Sequence, residues 1–77
     1  MKHFLEFVVR SLVDNPDDVQ ISESARDGVE TYRLGMHPAD VGLVIGKGGR
    51  TIVAIRNIIN AAHRGDSSLA VEVVENA

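Results

Sequence analysis

Val44-Ile45-Gly46-Lys47-Gly48-Gly49-Arg50-Thr51-Ile52 is the stretch on which the fold turns. Three glycines fall within four residues, with Val44-Ile45 before them and Ile52-Val53 after. A loose linker would be flanked by polar residues, whereas this turn is anchored in apolar sequence at both ends. Glycine accepts backbone conformations closed to other residues, so a tight turn of this kind brings N–H groups to the surface with no side chain in the way. The turn also opens a helix, where unpaired N–H groups and the helix dipole favour an anion. Lys47 projects from its middle and Arg50 stands at its exit, so the assembly suits phosphate.

Working outward, Ile52, Ile55, Ile59 and Ala62 mark one face of the helix that follows, with Val53 and Ile58 widening the stripe. Arg64-Gly65-Asp66-Ser67-Ser68 closes that helix as a loop, and Leu69, Val71 and Val73 then alternate with Ala70 and Glu72 as a last strand. On the other side, Pro38 suits a helix's first turn, and a short helix from Pro38 to about Val44 is expected, weakened by Gly42. Tyr32, Leu34 and Met36 alternate in a strand over residues 29–36, and Val19 and Ile21 suggest a short one before it. Asp27-Gly28 is the turn that pairs these strands. Phe4, Leu5, Val8, Val9, Leu12 and Val13 recur at helical spacing, giving an amphipathic helix over 2–14 that Asn15-Pro16-Asp17-Asp18 stops. The expected order is α-β-β-α-α-β: an α/β (α+β) sandwich in which three helices cover one face of a three-stranded sheet.

The chain has 77 residues, 44% of them hydrophobic and 25% charged, which suits one small globular domain spanning 1–77. It lacks cysteine, which excludes disulfides and thiolate metal sites. No apolar run approaches the roughly 20 residues of a membrane span, and no signal-peptide pattern opens the chain, so a cytoplasmic setting is expected. The net charge of −3 speaks against a nucleic-acid partner until its distribution is read. Residues 1–32 set three bases against seven acids, a net of −4. Residues 33–64 set Arg33, Lys47, Arg50, Arg56 and Arg64 against Asp40 alone, a net of +4, and residues 65–77 carry −3. The basic charge is therefore concentrated in the segment that holds the glycines.

Val44 to Ile52 resembles the KH-domain signature, Ile-Gly-x-x-Gly-x-x-Ile, with every fixed position filled. A helix ahead of the strands is similar to the type II (prokaryotic) KH order. Nearly the whole chain, Leu12-Val13-Asp14-Asn15-Pro16 included, resembles the KhpA/YlqC family of small one-domain bacterial KH proteins. The resemblance implies non-catalytic binding of short single-stranded RNA, with the GXXG loop clamping the backbone of about four nucleotides. It implies a role as an RNA chaperone or post-transcriptional regulator. It also implies self-association, or pairing with a larger KH-containing partner of the KhpB, Jag or EloR kind. Carried onto this sequence, the binding set is Gly42, Ile45, Gly46, Lys47, Gly48, Gly49, Arg50 and Ile52, with Leu43 beside them. Gly46 and Gly49 allow close backbone approach, and Lys47 and Arg50 supply charge. Gly48 departs from the many relatives that carry a polar or basic residue there, leaving one cationic side chain within the loop. Core packing is the competing role for the apolar members, and for Leu34 and Met36.

Other classes fit less well. A P-loop needs four residues between its first glycine and Gly-Lys, then Ser or Thr; Gly42 is followed by three before Gly46-Lys47, and Gly48 comes next. The dinucleotide fingerprint needs glycine where Thr51 stands. His3, His37 and His63 show no metal-ligand spacing, no nucleophile-base pairing is visible, and no cofactor is expected. Aromatic residues, at 4%, are too few for a sheet that stacks bases, and Tyr32, the one candidate, reads as packing. A KH-fold module acting through a partner protein remains as the alternative, kept open by the acidic total.

Overall fold

A computed structural model describes residues 1–63 and 68–76. Its elements are α1 (Lys2–Leu12), β1 (Gln20–Arg26), β2 (Val29–Met36), α2 (Val41–Ile45), α3 (Arg50–Ala62) and β3 (Ser68–Glu75), in the expected order. Single 3₁₀ turns at Pro16–Asp18, Pro38–Asp40 and Lys47–Gly49 join them. Helix α1 stops at Leu12, because Val13 is already extended on the approach to Pro16. Strand β1 begins one residue later than expected and runs through Arg26, since antiparallel pairing carries it to the hairpin. Asp27 and Gly28 both take positive φ there, 54° and 77°, which matches the twist of the two strands. Of the loop expected at 64–68, residues 64–67 lie outside the described residues, and Ser68 already belongs to β3.

The sheet order is β1-β2-β3, with β1 antiparallel and β3 parallel to the central β2. Parallel strands need a crossover, and α2, the glycine turn and α3 supply it. The glycine loop thus sits within a connection whose two ends are tied into one sheet. Ile21 lies opposite Leu34, and Leu34 opposite Val73, so one sheet face is apolar. On it Ile21, Tyr32, Leu34 and Met36 are buried against Leu5 and Val9 of α1, Val44 of α2, and Ile55 and Ile59 of α3. The other face shows Ser22, Arg33 and Glu72 to solvent, Arg33 pairing with Glu72 at 3.3 Å. Leu34 and Met36 are therefore core residues, and Tyr32 packs rather than stacks. Burial pushes the Tyr32 hydroxyl pKa up, with the charge and hydrogen bonding of Glu23 and the charge of Glu30 adding to it. Glu23 and Ala25 stay exposed further along the apolar face, where the helix layer ends.

Candidate nucleic-acid interface

Helix α2 has only five residues, too few to be stable alone. Val44 plugs it into the core, and the backbone leaves it at Gly46, whose N–H donates to Gly42 O at 2.9 Å. Gly46 has φ +77° and ψ 171°, conformational space all but reserved for glycine. A Cβ added there would lie 2.7 Å from the Thr51 Cβ and 2.9 Å from the Thr51 N, so the first turn of α3 fills that space. Gly48 (φ +65°) and Gly49 (φ +78°) need positive φ too, but a Cβ at either would meet nothing within 4 Å. Gly49 N–H closes the turn onto Gly46 O at 3.1 Å and leads directly into α3. The turn is therefore braced beneath, at Gly46 and Thr51, and open above, at Gly48 and Gly49.

The charges match this opening. Lys47 and Arg50 are exposed, and no acidic residue stands in the first turn of α3. Among the described residues Lys47, Arg50 and Arg56 form no ion pair, whereas Arg10 pairs with Glu6 and Arg33 with Glu72. Three bases on the loop and α3 are thus left to solvent or to an anion.

The other residues singled out in the sequence divide. Gly42 is exposed on α2 with open space where a Cβ would stand. Leu43 is 45% exposed, and Ile45 is half-buried. Ile52 is half-buried and packs on the core, so its apolar side is shared with the fold. On α3, Ile55 and Ile59 are buried and Ala62 is exposed, so the buried stripe is shorter than the spacing implies. Val53 and Ile58 are 41% and 51% exposed.

Two residues carry more than sequence reasoning assigned them. Thr51 braces the loop. Asp40, which entered only as the lone acid of the basic segment, is the one buried charged side chain among the described residues, 1% exposed. Its Oδ2 accepts from the Asn15 N–H at 3.0 Å and the Asn15 Nδ2 at 3.1 Å, and its Oδ1 from the Asp14 N–H at 3.3 Å. Burial is the largest single influence on its pKa and acts upward. The hydrogen bonds from Asn15 and Asp14, with His37 nearby, together outweigh it and hold the carboxyl below its ordinary value. No sequence signal marked this role: Asp40 falls inside the helix expected from Pro38 to about Val44, whereas the structure makes Pro38–Asp40 a 3₁₀ turn and starts α2 at Val41.

Among the described residues no helix is long and apolar enough to cross a membrane, and no group of His, Asp or Glu is placed to hold a metal. Comparison with known proteins agrees with the architecture. The family model of the KhpA/KhpB KH domain matches residues 2–74. A protein of Chlamydia pneumoniae named RNA-binding protein KhpA is 38% identical over 76 residues, 97% of each chain. The protein of that name from Mycobacterium leprae is 42% identical over 71 residues, 92% of this chain and 86% of its own. That from Oceanobacillus iheyensis is 44% identical over 62 residues, 80% of this chain and 83% of its own. With that match spanning every element from α1 to β3, the chain belongs to the KhpA/KhpB KH-domain family.

Proposed function

We propose that the chain, as a single KH domain over residues 1–77, binds short single-stranded RNA without catalysis. The binding set is the loop Gly46, Lys47, Gly48 and Gly49 with Gly42, Ile45, Arg50 and Ile52 around it. One observation carries the reading: a turn braced beneath by Thr51 and open above, with Lys47 and Arg50 unpaired beside backbone that no side chain shields. Such a surface suits a phosphate backbone, and exposed Leu43 and half-buried Ile45 offer apolar contact to bases beside it. The names of the curated relatives support RNA as the ligand. The setting is the cytoplasm, in the role of an RNA chaperone or post-transcriptional regulator.

A lone domain of this size reaches few nucleotides, so pairing with a second copy, or with a larger KhpB-, Jag- or EloR-like KH protein, would raise avidity through effective concentration. Exposed Ile58 favours such pairing. With exposed Val53 it also sustains the second reading, a KH-fold module acting mainly through a partner protein.

The test is fluorescence anisotropy with a short unstructured RNA and a blunt duplex of the same sequence. Lys47→Asp with Gly48→Asp sets two carboxylates against phosphate and should weaken binding to the single strand at least about tenfold, ~1.4 kcal/mol. Circular dichroism should report a folded variant, since a side chain at Gly48 meets open space and carries only the ~1–2 kcal/mol strain of positive φ. Unchanged affinity in the folded variant removes the proposed site. Equal or tighter binding to the duplex means that a general basic face does the binding.

A further inference from the structure

We propose that Asp40 is a positioning residue of the RNA surface: its carboxylate holds α2 against the Asp14-Asn15 turn, and thereby fixes where Gly42, Ile45 and the glycine loop stand. The proposal rests on the RNA reading above.

Asp40 directly precedes α2, at the position where an aspartate ordinarily accepts from an N–H of its own helix's first turn. It makes no such bond. Its oxygens reach instead across 25 and 26 residues of sequence to the backbone of Asp14 and Asn15 and the Asn15 amide. Those residues follow the end of α1, so the contact locks the first helix and the site helix together.

Helix α2 needs such a lock. Gly42 weakens it, and its hold on the core is buried Val44 with Val41 partly buried beside it. Apolar contact of this kind sets how deep a helix sits, but it is non-directional and orients a five-residue helix only loosely. Three hydrogen bonds converging on one carboxylate supply direction. Asp40 and Gly46 stand only about 9 Å apart along a helical path, at 1.5 Å per residue. A shift of α2 at its first end is therefore felt at the loop. The Gly46–Thr51 brace fixes the loop to α3, and the Asp40 bonds fix it to α1; the site lies between the two.

A buried polar side chain can stabilise a domain without positioning anything, and the test separates these roles. Asp40→Asn keeps the size, but removes the charge and turns an NH₂ toward donors. Its control is Ile21→Ala, in β1 and remote from the loop, with both compared at a temperature well below either melting point. Hydrogen exchange is read without RNA at the Gly46 amide and at the Tyr32 and Leu34 amides of β2. Affinity is read with the same short RNA. Asp40→Asn should speed exchange at Gly46 by tenfold more than at β2 and weaken binding about fivefold; Ile21→Ala should speed all three amides alike and leave affinity unchanged. Uniform acceleration in Asp40→Asn, or wild-type affinity despite a loosened Gly46, overturns the proposal. Wild-type protein that binds no RNA overturns the RNA reading itself, and Gly46 exchange then still reports whether Asp40 holds α2.

Discussion

Gly42 lies within α2 and Gly46 ends it, yet the chain uses them for different reasons. At Gly46 the backbone angle and the Thr51 side chain both forbid a Cβ, so the residue is dictated by the fold. At Gly42 the backbone is helical and a Cβ would meet nothing, so folding gains nothing from the missing side chain. Glycine inside a helix costs about 0.5–1 kcal/mol relative to alanine. A residue that weakens the helix it sits in, at an exposed point beside the loop, fits a surface that a ligand must approach closely. Gly42→Ala should raise the melting temperature by about 3–6 °C, as ~0.5–1 kcal/mol does in a domain of this size, and weaken RNA binding severalfold. Thermal melting and anisotropy check the two halves. A stabilised variant with unaltered affinity would remove Gly42 from the binding set.

Among elements, α2 depends most on its neighbours, and Asp40 makes that dependence sensitive to acid. The carboxyl is held below its ordinary value of 3.8, so ionised Asp40 contributes stability in full above that pH. The contribution is lost as pH falls through the lower folded-state pKa. Asp40→Asn lacks this titration. Its deficit in melting temperature against wild type should be largest near neutral pH and narrow below about pH 4. A deficit constant down to about pH 3 would mean that the ionised form is not the one the hydrogen bonds favour. Helix α3 presents two distinct surfaces. At about 100° per residue, Val53 and Ile58 stand roughly 140° apart, so no single contact is centred on both. Val53 shares its side with Arg50, Arg56, Asn57 and Asn60, and Ile58 lies between exposed Ala54 and Ala61. A twofold contact at Val53 would bring four arginines together, whereas one at Ile58 would be apolar and closely approached.

For the whole molecule, this difference decides how a second copy would dock. Sedimentation at micromolar concentration should show a dimer that Ile58→Asp dissociates and Val53→Asp leaves intact. A monomeric wild-type profile would remove the homodimer and leave only a heterologous partner. Charge acts at the same scale. Lys47, Arg50 and Arg56 are the unpaired bases of the loop and α3, and acidic segments flank them in sequence. With about three phosphates neutralised at roughly −0.7 each, log affinity against log salt should fall with a slope near −2. A slope near −6 for the monomeric unit would reveal a basic surface beyond these residues.

The order of elements, the hairpin at Asp27-Gly28 and the place of the glycine loop were legible in the sequence. Each rests on local physics: the period of apolar residues, the φ freedom of glycine, and the missing N–H of proline. The local signals were coarser at boundaries, which is why β1 runs further than its short apolar alternation implied. What needed the tertiary structure was every assignment that depends on a distant neighbour. Ile52 and Ile45 have similar sequence surroundings, but only Ile52 packs on the core cluster, because helix rotation is set by what the rest of the chain packs against it. Thr51 braces Gly46 through a turn whose geometry sequence spacing does not specify. Asp40 bonds residues 25 and 26 positions away, and no local pattern encodes a partner that the β1-β2 hairpin between them brings near.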